Sequence, residues 1–182
     1  MKAASSGANI VKFQYWDPKY LKKGVWDHDG RRDIYNKAVL SEKKIRQLID
    51  ISESNGCGFL ISVFGTKGAR FVKGLGIKNI KIPSHETTNL ALIEYCASNF
   101  DYVYFSAGAS KVSEIQRATD ILKTGAASYN LMHCVSSYPC ESSSANLQRI
   151  NWLKELCSDI GYSDHTQSMV VPAAAVALGC SV

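Results

Sequence analysis

Two lysines stand inside runs of apolar, β-branched and aromatic residues: Lys12 in Ile10-Val11-Lys12-Phe13-Gln14-Tyr15, and Lys81 in Asn79-Ile80-Lys81-Ile82-Pro83. Such runs read as strands, and an unpaired ammonium buried in a sheet is costly, so each lysine needs an anionic partner or an anionic ligand. An internal ion pair, Lys81 with Glu86, is one solution. The other is a pocket for phosphate and carboxylate, which the surrounding hydroxyls favour: Ser62, Ser84, Ser106, Ser136, Tyr138 and Ser163 all fall at predicted strand ends, with Gln14 beside Lys12. His165 follows Ser163-Asp164, where a histidine suits a general base, a metal ligand or a hydrogen-bonded loop residue. No second histidine is spaced near it as His-x-x-x-His. His133 reads as a core histidine with both nitrogens satisfied. Cys134 and Cys140 flank the same strand end, but the sequence offers neither thiol an activating context. Gly74-Leu75-Gly76 ends a predicted helix rather than opening one, so it is no phosphate loop.

These residues need a scaffold that brings strand ends together. Predicted strands cover Asn9–Tyr15, Gly58–Phe64, Asn79–Pro83, Tyr102–Ser106, Tyr129–Ser136 and Ile160–Ser163, with a stub at Cys180–Val182. Most are continuously apolar, as strands covered on both faces are. Predicted helices alternate with them: Ser41–Asn55, Thr66–Leu75, Thr87–Ser98, Lys111–Lys123, Ala145–Cys157 and Val171–Leu178. Ser41 suits an N-cap, Gly56 a stop, and Pro172 a first turn. The segment Trp16–Val39, rich in Asp, Lys, Gly and Trp, interrupts this rhythm as an insertion, and such long loops are more often functional than idle. Consecutive βα units fit an open doubly wound sheet or a closed barrel, and both place ligand residues at the C-terminal strand ends. Six strands and a stub in 182 residues, where a closed (β/α)8 barrel takes about 250, predict a TIM-type barrel that is incomplete. Its first strand is expected to be missing and its eighth cut.

The composition, 46% hydrophobic and 20% charged, fits one soluble domain over residues 1–182. No run approaches the roughly 20 apolar residues of a membrane span, and the N-terminus lacks a signal peptide's apolar stretch, which predicts a cytoplasmic protein without a membrane partner. The six cysteines lack Cys-x-x-Cys pairing and read as reduced, buried thiols. The net charge of +5 is scattered, its densest groups being Lys19/Lys22/Lys23 and Lys43/Lys44/Arg46. That argues against nucleic acid and suits an enzyme of small anions.

Four segments, in order, resemble the signatures of the sialic acid synthases: Val11-Lys12-Phe13-Gln14, Lys81-Ile82-Pro83-Ser84-His85-Glu86, Leu131-Met132-His133-Cys134-Val135-Ser136-Ser137-Tyr138-Pro139 and Gly161-Tyr162-Ser163-Asp164-His165-Thr166. The family includes legionaminic and pseudaminic acid synthases and spore-coat polysaccharide proteins, and the likeness covers essentially the whole chain. It implies a metal-dependent condensation of phosphoenolpyruvate with N-acetylmannosamine or a related amino sugar, with loss of phosphate. By resemblance, Lys12, Gln14, Ser62, Lys81, Ser84, Ser136, Tyr138, Ser163 and Asp164 would line the substrate pocket. Glu86, Lys81 and Tyr138 would be catalytic, and His165 would hold manganese or magnesium. The chain departs from the pattern at Ser62 (often threonine), Ser136 (asparagine in some members), His85 (usually glycine), Asp101-Tyr102 and Ser106-Ala107-Gly108. The family's first-strand glutamate, its second metal histidine and its C-terminal antifreeze-like domain are not found in the sequence. A homodimer is a candidate assembly by resemblance. Two alternatives stay open: a Schiff-base aldolase or lyase using Lys12 or Lys81 on a pyruvate-like substrate, and a non-catalytic barrel fragment.

Overall fold

The computed structural model describes residues 2–20 and 23–182, and only the main chain of Trp26. Lys22, one of the basic residues counted above, lies outside the described residues. Six strands, β1 (Ile10–Tyr15), β2 (Gly58–Val63), β3 (Asn79–Ile82), β4 (Tyr102–Ser106), β5 (Ser128–Cys134) and β6 (Ile160–Ser163), form one sheet in the order β1-β2-β3-β4-β5-β6. Every neighbouring pair is parallel. A doubly wound sheet must reverse its order at a switch point, and this one never does. The architecture is therefore a singly wound α/β half-barrel, each strand laid beside its predecessor.

The helices are α1 (Lys2–Ser5), α2 (Arg31–Lys37), α3 (Glu42–Ser54), α4 (Gly65–Gly74), α5 (Leu90–Asn99), α6 (Val112–Thr124), α7 (Arg149–Leu156) and α8 (Val170–Ala177). Ser41 caps α3 by accepting from the Lys44 amide at 3.3 Å, and Gly56, at φ +73, follows its end. The fifth helix starts three residues later than its sequence pattern suggests. Thr87 spends its hydroxyl on Ser84 O at 2.6 Å, and Asn89 becomes the cap by accepting from the Leu92 amide at 3.3 Å. Likewise α7 starts at Arg149 and not Ala145, because Asn146 adopts φ +45, which no helix can include. Strand β5 ends at Cys134, two residues short of expectation, and the insertion after β1 is not all loop, since it contains α2.

Helices cover only the convex face. There Ile61, Val63, Ile80, Ile82, Val103, Phe105, Leu131 and Ile160 pack with Ile45, Val72, Ile93, Ile115, Leu122 and Leu153 from the helices into one core. The sequence expectation of strands covered on both faces holds differently on the concave side, where burial comes from the sheet's own curvature. At its lower end Asp159 accepts from Tyr102, from Asn130 Nδ2 at 2.8 Å and from Ser181 Oγ at 2.6 Å, a polar plug. The stub Cys180–Val182 is not a strand of this sheet. It nevertheless runs beside β6, with Ser181 N donating to Ile160 O at 2.8 Å and Tyr162 N to Val182 O at 2.7 Å.

Candidate active site

Side chains alternate across a strand, and residues in register on parallel neighbours share a face. The register row Gln14, Ser62, Lys81, Tyr104, Asn130 therefore lies on one face, opposite the core. Lys12, two residues before Gln14, shares it, as do Ser106, Met132, Cys134 and Ser163 further along. The concave face is thus lined by two ammonium groups, hydroxyls and amides. Leu60 and Met132 share that face, while the remaining core side chains of β2 to β5 point the other way, as the alternation requires.

Neither lysine forms a salt bridge among the described residues. The ion pair considered between Lys81 and Glu86 is absent: Glu86 turns aside, accepting from Asn89 Nδ2 at 2.6 Å with His85 Nε2 at 3.9 Å. The short helical turn Ser84–Glu86 carries the carboxylate away from the strand axis. Lys81 instead donates to Ser163 Oγ at 3.3 Å, across the half-barrel. Burial, reinforced by the positive charge of Lys12, brings the Lys81 ammonium down to about 8, while Cys134 opposes the shift. Lys12 is also lowered, by burial.

Hydroxyls gather at the C-terminal rim. Gly108, just past β4, donates its N–H to Ser84 Oγ at 3.0 Å. A Cβ built on Gly108 would stand 2.8 Å from both Ser84 Oγ and Ser136 Oγ and 3.0 Å from Cys134 O. Only glycine lets these two serines close on the backbone. Because Ser84 and Ser163 already accept from Gly108 and Lys81, their own protons are free to donate to an anion. Ser136 and Tyr138 are exposed at the rim, and Asp164 accepts from the Thr166 amide at 2.9 Å, which shapes the turn after β6.

His165 lies under Tyr138, ring centroids 4.0 Å apart. Its Nδ1 is 2.6 Å from Val135 O, a contact that uses Nδ1–H as donor and leaves Nε2 as the nitrogen available to a metal. Cys134 Sγ, 3.8 Å from the same Nδ1, is a neighbour that the sequence did not reveal. Among the described residues no three His, Cys, Asp or Glu side chains come together as a metal site. His165 fits a single ligand position, and the chain's described residues do not complete a shell around it. His133 is buried on the convex side, with Nε2 2.7 Å from Ala145 O, but its Nδ1 has no protein partner, so the expectation that both nitrogens are satisfied is corrected. The tight approach of Ala145 uses one nitrogen, and the Tyr162 ring stacked at 5.6 Å faces the imidazole plane without bonding its edge.

Above Gln14 the rim opens into a cavity of about 1110 Å³. Trp16, Tyr20, Tyr35, Phe64 and His85 supply its rings, and Gln14, Glu86 and Asn89 its polar edge. Sequence reasoning flagged Trp16–Val39 as functional and noted His85, but gave no role to Trp16, Tyr20, Tyr35 or Phe64. Their convergence depends on α2, whose Tyr35 meets Trp16 just past the end of β1. Tyr104 and Asn130 were missed too, although the alternation Tyr102-Val103-Tyr104-Phe105-Ser106 was a legible signal.

A parallel sheet wound in one direction, with helices on its convex face, is the architecture of part of a (β/α)-barrel. The NeuB family model matches residues 1–182, and the chain belongs to that family. It is 33% identical over 195 residues to the N,N'-diacetyllegionaminic acid synthase of Campylobacter jejuni, covering 99% of this chain and 58% of that protein. The Legionella pneumophila protein of the same name is 31% identical, with 99% and 55% covered. Among solved structures, an N-acetylneuraminic acid (sialic acid) synthetase from Leptospira borgpetersenii, in complex with citrate, superposes with a TM-score of 0.89 at 31% identity, covering 98% of this chain and 62% of that one. The chain thus spans somewhat over half the length of these curated relatives.

Proposed function

We propose that this chain carries the substrate-binding half of a synthase that condenses phosphoenolpyruvate with N-acetylmannosamine or a related amino sugar, forming a sialic-acid-type nonulosonic acid for surface carbohydrate. The observation that carries the reading is the pair of lysines, Lys12 and Lys81, on one concave face without a carboxylate partner among the described residues. Two unneutralised ammonium groups with free serine protons between them suit a ligand bearing both a carboxylate and a phosphate. C3 of phosphoenolpyruvate would attack the open-chain aldehyde, a water would be consumed, and inorganic phosphate would leave. Lys12, Ser62 and Lys81 would hold one anionic end, with Ser84, Ser136 and Ser163 donating to the other. Gln14, Asp164 and Tyr138 would face the sugar. Lys81 would stabilise the charge that develops, and Glu86 and Tyr138 would move protons at the sugar.

The divalent ion, manganese or magnesium, would take Nε2 of His165 and would polarise the aldehyde when bound. His165 would be one ligand of that ion, since the described residues form no cluster of three metal-binding side chains. The finer barrel reading belongs to the same proposal: the first strand lies outside this chain, and Cys180–Val182 begins the eighth, counting the six strands present as second to seventh. The two hydrogen bonds between that stub and β6, one donated by each, support it. A cytoplasmic location and a homodimer complete the proposal. No helix among the described residues is long and apolar enough to cross a membrane.

The lowered Lys81 also suits imine chemistry, since a neutral amine is the nucleophile that attacks a carbonyl. Two measurements separate the readings. Calorimetric titration of phosphoenolpyruvate, with manganese present, should show binding that Lys81→Ala abolishes. Borohydride treatment with pyruvate should leave the mass unchanged. A pyruvate adduct on Lys12 or Lys81 would replace the condensation reading with the aldolase one. No binding by the folded protein would remove the anion pocket altogether.

A further inference from the structure

The turn after β4, residues 107–111, carries the glycine amide that holds Ser84, and its backbone is strained. Ala109 adopts φ +48, a left-handed conformation that alanine enters at a cost and keeps only where its surroundings impose it. Two holds impose it here. Buried Thr87 gives its hydroxyl proton to Ser84 O at 2.6 Å, so its oxygen accepts from Ser110 Oγ at 2.9 Å. Ser110 shares that proton with Gly108 O at 2.8 Å, which ties the turn to itself and to the segment after β3. The second hold comes from another βα unit. Arg149, the first residue of α7, donates from Nη2 to Ser110 O at 3.2 Å.

Arg149 is half-buried, its guanidinium carbon 5.9 Å from the centre of the Trp152 ring, and it has no carboxylate partner among the described residues. A partly desolvated guanidinium without a counter-charge is unfavourable, so a structural ion pair does not account for its place. The chain that leads into α7 is itself anchored on β5, where His133 Nε2 lies 2.7 Å from Ala145 O. From β5 a line of contacts therefore runs through α7 and the turn after β4. It ends at Ser84 Oγ, which accepts from the Gly108 amide at 3.0 Å.

We infer that Arg149 is a positioning residue, which fixes the strained turn so that the Gly108 amide holds Ser84 with its hydroxyl proton free for the proposed anion site. The ligand of that site rests on the condensation reading above; Arg149 acts on it only through the backbone of the turn. Amide hydrogen exchange read by NMR, with calorimetric titration of phosphoenolpyruvate, tests this role. In Arg149→Ala the Gly108 amide should exchange at least about tenfold faster, while those of Leu122 in α6 and Leu131 in β5 stay unchanged. Phosphoenolpyruvate should bind about fivefold more weakly, and Arg149→Lys, which keeps a donor for Ser110 O, should recover part of both changes. Arg117→Ala removes an equal charge from an exposed position on α6 and should move neither readout.

An unmoved Gly108 amide in the folded Arg149→Ala protein overturns the inference, whatever happens to affinity. So does a faster Gly108 amide with unchanged affinity, because the turn would then not set the site. A loss of affinity that Arg117→Ala matches overturns it as well, since that is charge acting at a distance. Faster exchange at Leu122 and Leu131 together with Gly108 would make Arg149 an ordinary stability contact. Should Arg149→Ala fail to fold, Arg149→Met keeps the stem packed by Trp152 and carries the same expectations. If the unmodified protein does not bind phosphoenolpyruvate, the condensation reading fails, and the Gly108 amide still decides whether Arg149 holds the turn.

Discussion

The two faces of the sheet use the same six strands for opposite ends. On the convex face Ile61, Ile80, Ile82, Val103, Phe105 and Leu131 are fully buried against helices. On the concave face the same strands present Lys12, Gln14, Ser62, Lys81, Tyr104 and Ser163, and no helix covers them. The first arrangement stabilises the fold through apolar area removed from water. The second works against it, since a partly desolvated ammonium near another is unfavourable without a counter-charge. The contrast teaches that the pleat separates the stabilising core from the proposed site, one residue apart along the strands.

The largest effect should come from breaking the convex side. Phe105→Ala should cost about 3–5 kcal/mol in urea unfolding, because the ring is fully buried and its cavity cannot collapse. A loss under about 1 kcal/mol would mean the convex face is not the main core. Lys81→Met tests the other side and should move two readouts in opposite directions. Phosphoenolpyruvate binding should fall at least tenfold, about 1.4 kcal/mol, while stability at neutral pH rises by about 1 kcal/mol. A variant that loses stability would show that Lys81 is structural.

The same lysine sets a pH dependence. Its folded value, about 8, lies below the ordinary 10.5, so between those limits the unfolded chain binds more protons than the folded one. Stability should therefore rise with pH across that window, and the penalty of the buried charge is fully present below about 8. Anion affinity should fall over the same range as the ammonium is lost. Chemical denaturation at several pH values checks the sign, and a Lys81→Met protein should lose that component of the slope. Gly108→Ala should push Ser84 and Ser136 apart and weaken phosphoenolpyruvate threefold to tenfold, with little change in melting temperature. Unchanged affinity would remove the serine pair from the site. The smallest effect belongs to Ser41→Ala, about 0.5–1 kcal/mol of stability through a lost cap, with ligand binding untouched.

By itself the sequence determined the run of strands and helices. Apolar runs, a capping serine at Ser41 and glycine stops are local signals, and each βα unit carries its own. It determined as well that Lys12 and Lys81 are anomalous, since a charge inside an apolar strand is visible without coordinates, and four ordered segments pointed to the family that the comparison then bore out. Tertiary structure alone decided where those charges turn. The curl of the sheet placed Lys81 against Ser163, 82 residues away, where sequence proximity had suggested Glu86. Tertiary packing also placed Cys134 beside His165 and left Nδ1 of His133 without a partner. The aromatic cavity was the least legible feature. Trp16, Tyr35 and Phe64 follow no common period, and only the contact of α2 with the residues just past β1 and β2 brings their rings together. The physical reason is the range of the interaction. Caps, turns and alternation act within a few residues, whereas a pocket is made of contacts between segments whose separation along the chain carries no information about their distance in space.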